Sequence, residues 1–324
     1  MGNSCVTGAP HALLEKADGP AFQWKIYGFS SLLEKGATTV TSDVFHCCGY
    51  EWYLTVTPKH KKFGFGSPYV AVRLLTGRST LEPDYIMNAL FELSIYNHSN
   101  RTYCGCQASN SFLVKKWYSE KKCLIPLEEL LESADFLVDD SCVFGVRILK
   151  ADISFARKKT AVVPKKTVVV PKKPTTIQNL FIQKKEFIKG TYTWTMNIFL
   201  DSKLAVLSPA FEVGGYKWHI KMYPRGNKLS TKSLSLFLYM DKPSMLTLEP
   251  GMMIELTLSI LDQKNGKQYT RSRSGCFAFA AADYWGWPNF IPRWLFKDQS
   301  FGYLVGSNCI VKADIAIVGS SIVG

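Results

Sequence analysis

The sequence predicts an all-β protein made of two antiparallel β-sandwiches in tandem, each with about one short helix. The first observation behind this prediction is a repeat, because residues 48–58 and 214–224 follow one pattern about 166 residues apart. The second is the period of that pattern, in which apolar and polar side chains alternate after a glycine turn, as in a half-buried strand. Further short alternating stretches, separated by turn residues, favour a sandwich over a helical fold.

Each copy of the repeat reads Gly-Tyr-X-Trp and ends in proline. Trp52 and Trp218 fall at apolar positions of the alternation, so both are predicted to be core residues. Pro58 and Pro224 cannot donate to a strand ladder, so each is predicted to end its strand.

The other strands are expected in the same order in both halves. In the first half they are residues 22–26, 69–75, 89–96 and 142–149. In the second half they are residues 192–196, 234–238, 253–261 and a last strand near 309–311, with a turn at 264–266. The one convincing helical stretch is 124–131, where leucines at 127, 130 and 131 share a face and Pro126 is tolerated in the first turn.

The repeat divides the chain into a tail (1–19), a first domain (20–155), a linker (156–176) and a second domain (177–320). The linker contains Val-Val-Pro-Lys-Lys twice, seven residues apart. Because prolines lack donors and neighbouring lysines repel, we expect an extended tether. A nuclear-import signal is the alternative, which would place the protein in the nucleus.

The net charge of +13 is unevenly distributed. Residues 1–155 carry 15 basic and 16 acidic side chains, residues 156–176 carry 7 and none, and residues 177–324 carry 17 and 10. Over half of the excess therefore lies in the short linker. This distribution does not match a basic groove interleaved with stacking aromatics, so specific nucleic-acid binding is not expected.

The nine cysteines are an odd number, and no secretory signal peptide precedes them. A reducing compartment, the cytoplasm, is therefore the default location. Only Cys104 and Cys106 are closely spaced, with His98 nearby, and a second pair of zinc ligands is not found in the sequence. We therefore expect no metal and no cofactor.

The amino terminus offers a lipidation site as a second hypothesis. Gly2 would be exposed after removal of Met1, and Cys5 could carry a second acyl chain, although Val6 stands where the simple myristoylation pattern has Ser or Thr. Stable anchoring would need Cys5 or the basic linker as the second signal. This alternative describes a membrane-peripheral scaffold; the other option is an unmodified terminus.

In order and in duplicate, the motifs resemble those of the meprin and TRAF homology (MATH) domain, and the arrangement is similar to the tandem-MATH, TRAF-like proteins abundant in plants. The resemblance rests on Gly-Gly-Tyr-Lys-Trp (214–218), Leu-Ser-Leu-Phe-Leu (234–238), Trp-Gly-Trp (285–287), Gly-Tyr-Leu-Val (302–305) and Asp-Ser-Cys-Val-Phe-Gly (140–145). It implies a sandwich of about eight strands that binds short extended peptide segments of partner proteins in a shallow groove. In members that recruit substrates for ubiquitin ligases, groove aromatics come from the strand after the central one and from the Trp-Gly-aromatic segment.

The resemblance points to six candidate groove residues. In the first domain Tyr69 and Trp117 match, while Ser119 replaces the second aromatic. In the second domain Ser233 replaces the strand aromatic, and the candidates are Phe277, Asp283, Trp285 and Trp287. Packing at the end of the sandwich is the alternative role for the two tryptophans, and an ordinary strand position is the alternative for Tyr69.

An enzyme is not expected. The five histidines are scattered, no phosphate-binding loop or carboxylate pair stands out, and the two repeats leave no room for a catalytic domain. The sequence also lacks a sustained heptad, so we expect a monomer. The function predicted is a non-catalytic adaptor, with ubiquitin-ligase components among its candidate partners.

Overall fold

The structure is a computed structural model and divides into two compact units, residues 1–184 with 320–324 (unit 1) and residues 185–319 (unit 2). Each unit is described by itself. The residues described are 15–17, 19–34, 39–61, 66–77, 81, 84–155, 175–182, 188–197, 205–228, 230–241, 251–278 and 284–323.

Unit 1 is built mainly from strands, as predicted. Its helices are α1 (Phe29–Glu34) and α2 (Leu127–Glu132). Its strands are β1 (Glu15–Ala17), β2 (Phe22–Tyr27), β3 (Thr39–Thr41), β4 (Phe45–Cys47), β5 (Tyr50–His60), β6 (Tyr69–Thr76), β7 (Tyr85–Asn97), β8 (Thr102–Phe112), β9 (Lys122–Pro126), β10 (Ser141–Phe155) and β11 (Thr176–Ile182).

The strands of unit 1 form two layers. One has the order β1-β8-β7-β10-β2-β11. In the other, β5 pairs with β3 and β4 on one side and with β6 on the other, and β6 pairs with β9. The core lies between the layers: Trp52 meets Phe112 edge to face at 5.5 Å, and Phe22 stacks on Phe45 at 4.2 Å.

Two details of unit 1 correct the sequence prediction. Strand β5 does not end at Pro58 but continues to His60, because a register shift between Thr57 and His60 removes the need for a ladder donor at the proline. Helix α1 was not predicted, since six residues are too short for a helical period to show. Its start is fixed by Asp140, whose carboxylate accepts hydrogen bonds from the backbone N–H and the hydroxyl of Ser30, each at 2.7 Å.

Strand β11 is an addition to unit 1 from the segment after the linker. It pairs in parallel with β2, whereas all other described strand pairs of this unit are antiparallel. Its Gln178 is buried and accepts a hydrogen bond from the backbone N–H of Asp43 at 3.1 Å. The sequence had placed Thr176 in the linker and residues 177–182 in the second domain, whereas β11 falls in unit 1.

Unit 2 repeats the arrangement. It has the helix α3 (Arg293–Lys297). Its strands are β12 (Ile188–Asn197), β13 (Val206–Leu207), β14 (Phe211–Val213), β15 (Tyr216–Tyr223), β16 (Ser233–Met240), β17 (Gly251–Leu261), β18 (Gln268–Ala278), β19 (Tyr284–Pro292) and β20 (Asn308–Val323).

The two layers of unit 2 are β12-β20-β17-β18 and a sheet in which β15 pairs with β13, β14 and β16, and β16 pairs with β19. Trp218, Ile220 and Met222 of β15 are fully buried in the core between them. Strand β15 ends at Tyr223, so the prediction that Pro224 ends the strand is confirmed. Together, the units confirm the predicted pair of TRAF-like sandwiches.

The hairpin turns before β5 and β15 explain the glycines of the repeat. Both central residues of each turn have positive φ: Gly214 (65°) and Gly215 (78°) in unit 2, Cys48 (55°) and Gly49 (78°) in unit 1. Such turns match the twist of the flanking strands and favour glycine.

In the part of the chain that the structure describes, no helix is long and apolar enough to cross a membrane.

We predict that Trp218→Ala lowers the free energy of unfolding by about 3–5 kcal/mol, because it leaves a large cavity. The Trp218 side chain is 0% exposed, and its indole N–H donates to the carbonyl oxygen of Val213 at 3.1 Å. Chemical denaturation measures the change. The matched control is Trp294→Ala, because Trp294 is 70% exposed and its removal should cost less than about 0.5 kcal/mol. Equal losses in both variants would contradict the assignment of Trp218 to the core.

We also predict that stability falls as the pH rises through the titration of Asp43. Burial raises the pKa of this carboxyl from 3.8 to about 6, so between these values the folded state binds more protons than the unfolded state. Asp43→Asn removes the titration and should stabilise the protein at pH 7 by up to about 3 kcal/mol. Thermal unfolding between pH 4 and 7 tests this, and parallel pH profiles for the two proteins would contradict it.

Candidate peptide-binding surfaces

Both units have a sheet that ends on an open strand edge. Among the described strands, β9 pairs only with β6 and β19 pairs only with β16. The outer edge of each therefore presents backbone N–H and C=O groups on which an extended segment can pair. Two candidate tryptophans, Trp285 and Trp287, lie on β19 itself, and the third, Trp117, lies five residues before β9.

In unit 2, Trp285 and Trp287 lie within the edge strand β19. They stand opposite Leu238 and Leu236, whose side chains are fully buried. Both tryptophans are half-buried and pack against the core of unit 2, and Trp287 meets Phe290 edge to face at 6.0 Å. They therefore close the core at the sheet edge while keeping part of their surface in contact with solvent.

The glycine between the two tryptophans allows β19 to approach β16 closely. A Cβ on Gly286 would lie 2.1 Å from the carbonyl oxygen of Leu236 and 2.6 Å from the Cα of Phe237. Both neighbours are backbone atoms, which cannot move aside without displacing a strand. The Trp-Gly-Trp motif therefore has a packing requirement at its centre.

The solvent-facing side of this sheet carries an aromatic cluster, which we define as Tyr223, Phe237, Tyr239 and Tyr284. Phe237 meets Tyr223 at 6.0 Å and Tyr284 at 5.3 Å, and Tyr239 stacks on Tyr284 at 5.4 Å. The Lys221 ammonium lies 4.9 Å from the centre of the Tyr239 ring. Tyr284 is 49% exposed, so the cluster reaches the surface beside the edge strand.

In unit 1 the segment 117–119 runs along the end of β6. Thr76 N–H donates to the carbonyl oxygen of Trp117 at 3.0 Å, and Ser119 N–H donates to that of Leu74 at 2.8 Å. Tyr118 pairs with Leu75 between them, so it faces solvent while Trp117 points to the opposite side of the sheet. Trp117 is half-buried, and Ser119 is buried.

The structure does not bring Tyr69 and Trp117 together. Tyr69 is the first residue of β6 and Thr76, beside Trp117, is the last. Seven strand residues span about 23 Å. Tyr69 and Thr76 are seven residues apart, and side chains of a strand alternate between the two faces of the sheet. Tyr69 therefore lies on the solvent-facing side, whereas Trp117 lies on the opposite side.

Sequence reasoning missed a group of cations on the solvent-facing side of the β5-β6-β9 sheet. We call His60, Arg73 and Lys121 the basic cluster. The Arg73 guanidinium lies 5.0 Å from the centre of the Tyr118 ring. The signal in the sequence was Arg73 itself, the one charged residue in the apolar run 69–75.

The pKa directions link the three cations: the charges of Arg73 and Lys121 act on His60, and the charge of Arg73 acts on Lys121. Burial lowers the pKa of His60, and the charges of Lys121 and Arg73 lower it further. Burial and the Arg73 charge likewise lower the pKa of Lys121. Burial lowers the pKa of Arg73, with a smaller opposing effect of Tyr118. Proximity of like charges in a partly desolvated site is thus a property of this surface.

Several predicted residues fall partly or wholly outside this description. The backbone of Phe277 pairs with Ile254 in the β17-β18 hairpin, but its side chain is not among the described residues. Asp283, Gly2, Cys5 and residues 156–174 of the linker also lie outside them. On β8, Cys104 and Cys106 are half-buried, and the described residues contain no group of three or more side chains that could hold a metal ion.

With this geometry in place, comparison with known proteins decides the family. The MATH domain family matches the chain twice, over residues 21–148 and 191–315. The chain belongs to the MATH domain family. The MATH domain is a protein-interaction domain, and both of its copies here coincide with the sandwiches described above.

Three relatives illustrate the range of proteins that contain a similar MATH segment. Ubiquitin C-terminal hydrolase 12 of Arabidopsis thaliana is 28% identical over 44% of this chain and 12% of its own length. TNF receptor-associated factor homolog 1a of the same organism is 30% identical over 43% of this chain and 13% of its own length. A MATH domain and coiled-coil domain-containing protein from that plant is 28% identical over 40% of each chain. This chain thus covers less than half of each relative.

We predict that Gly286→Ala destabilises the second MATH domain by about 1–3 kcal/mol, because the added methyl group overpacks the β16-β19 contact. Since Trp285 and Trp287 flank the site, the tryptophan emission should change as well. The control is Gly19→Ala, because a Cβ at Gly19 meets no atom within 4 Å. A Gly286→Ala variant with unchanged unfolding midpoint and unchanged emission would contradict this account of the motif.

Proposed function

We propose that this protein is a non-catalytic adaptor whose two MATH domains each bind a short extended segment of a partner protein. The observation that carries the proposal is that both sandwiches end on an open strand edge, β9 or β19, flanked by half-buried aromatic side chains. An added strand gains affinity from main-chain hydrogen bonds and specificity from pockets for alternate side chains.

A non-catalytic role is supported by how much of the chain the two domains occupy. The MATH matches cover residues 21–148 and 191–315. In the relatives named as ubiquitin C-terminal hydrolases 12 and 13, the matched segments make up only 12% and 11% of the protein. Their names therefore carry no hydrolase activity to this chain, but they support ubiquitin-dependent turnover as the setting of the adaptor.

The tandem arrangement supports binding of partners that present two segments or are themselves oligomeric. A shallow groove binds weakly, but two linked sites can raise the apparent affinity by about 10²–10⁴ when the linker spans the distance between the two segments. We propose a monomer, because the sequence shows no sustained heptad for coiled-coil trimerisation. We propose a cytoplasmic location, because an odd number of cysteines suits a reducing compartment.

Strand addition can be tested with peptides selected by the intact protein from a displayed library of unstructured 12-residue segments. Enriched peptides are resynthesised with N-methyl groups at alternate residues, in two registers. Because successive N–H groups of a strand point in opposite directions, one register should lose at least tenfold in affinity and the other should retain it. Equal effects of both registers, or no enriched peptide, would contradict the proposal.

The place of binding is tested with Trp285→Ala combined with Trp287→Ala. We predict a loss of at least tenfold in affinity for peptides that bind unit 2, as expected for aromatic residues at the centre of an interface. Trp294→Ala is the matched control, because Trp294 is exposed on α3. Circular dichroism and the unfolding midpoint must show that the double variant remains folded. Unchanged affinity in the folded double variant would remove these tryptophans from the site.

A further inference from the structure

Resting on the proposed function, we infer that the first MATH domain selects peptide segments that carry Asp or Glu. Their carboxylates are held by Arg73 and Lys121, the two members of the basic cluster nearest the β9 edge, on the solvent-facing side of the β5-β6-β9 sheet. The acidic ligand class applies to the first of the two domains. The side chains that would recognise it lie at positions outside the sequence motifs.

Two members of the cluster lie close to the open edge of β9. Lys121 immediately precedes β9, and Arg73 lies on β6, the neighbouring strand. A strand added to β9 would lie about 4.8 Å beyond it and about 10 Å from β6. Outward-facing side chains of such a strand would therefore be within reach of the long Lys121 and Arg73 side chains.

The positive charge of the cluster is not compensated by an ion pair within the part of the chain that the structure describes. No carboxylate among the described residues forms an ion pair with His60, Arg73 or Lys121. Other cations of the chain have such partners, for example Arg147 with Glu92 and Lys150 with Asp152. A bound carboxylate would relieve the mutual repulsion of the cluster and form charge-assisted hydrogen bonds in a partly desolvated site.

The guanidinium of Arg73 is also packed against an aromatic ring, and partly buried, before any ligand arrives. It lies over the ring of Tyr118, and its Nε is buried without a hydrogen-bond partner among the described residues. Preorganisation of this kind lowers the entropy cost of binding. A planar guanidinium is suited to carboxylate recognition, because it can donate two parallel hydrogen bonds.

The surroundings favour an acidic peptide over a polyanion. The cluster is small, and residues 1–155 as a whole carry 15 basic and 16 acidic side chains. Nucleic acids and anionic membranes attract surfaces with a large excess of positive charge, whereas the charges of this segment are nearly balanced. The corresponding face of unit 2 differs in kind, because it carries the aromatic cluster and its His219 is paired with Asp241 at 3.1 Å.

The test uses the full chain and the 12-residue peptides selected from the displayed library. Each peptide is resynthesised with Asp and Glu replaced by Asn and Gln, and affinities are measured by fluorescence anisotropy. We expect acidic peptides among those enriched, a loss of at least tenfold for their amide versions, and a similar loss for the R73Q/K121Q protein. In that protein the amide replacement should have little further effect.

The matched control is R147Q/K150Q, which removes the same charges from β10 in the other layer of unit 1 and should leave these affinities unchanged. If R73Q/K121Q does not fold, two other variants provide the same comparison. R73K/K121R keeps both charges and should retain the affinity, whereas K121Q removes one charge and should reduce it. Equal losses in the control and cluster variants would mean a general charge effect and overturn the inference.

The outcomes separate this inference from the proposed function. If none of the enriched peptides is acidic, or if the amide versions of the acidic ones bind equally well, the acidic preference is overturned and peptide binding is left standing. No enrichment at all would overturn both. A third outcome is that single-stranded DNA or phosphatidylserine vesicles bind more tightly than any acidic peptide, and that R73Q/K121Q loses this binding. That outcome would assign the cluster to a polyanion and overturn the inference.

Discussion

The fold depends on a buried tryptophan that occupies the same place in each sandwich. The Trp52 indole N–H donates to the carbonyl oxygen of Cys47 at 3.0 Å, and that of Trp218 donates to Val213 at 3.1 Å. In both, the acceptor lies five residues earlier, across the hairpin turn, so one side chain fills the core and fixes the turn. The bond also satisfies a polar group that would otherwise be costly to bury.

Around the tryptophan the two copies share further backbone contacts. Ser42 exchanges hydrogen bonds with the Leu54 backbone, its hydroxyl accepting from the N–H at 2.9 Å, and Ser208 does the same with Ile220 at 2.8 Å. These contacts hold each central strand to its neighbour irrespective of the residues on the outer surface. The units can therefore keep one core and diverge on the solvent-facing side, one with the basic cluster and the other with aromatic rings.

The shared core could be predicted from the sequence, whereas the divergent outer surfaces could not. The alternation around Trp52 and Trp218 reports burial directly, so core, strand order and tandem architecture were predictable. The pairing of β11 with β2 was not predicted, because pairing between distant segments leaves no local period in the sequence. The basic cluster was missed because register brings His60, Arg73 and Lys121 together from three separate segments. The Trp-Gly-Trp motif was found, but only the structure shows that its glycine is required by contact with β16.

The central claim is that partner segments add as strands to the open edges of β9 and β19. The most direct test is amide hydrogen exchange of the intact protein with and without a saturating selected peptide. The account predicts slowed exchange at β9 or β19, according to the domain bound, with smaller changes on the inner strands β5 and β15. Protection confined to other surfaces, with the exchange of β9 and β19 unchanged, would contradict it.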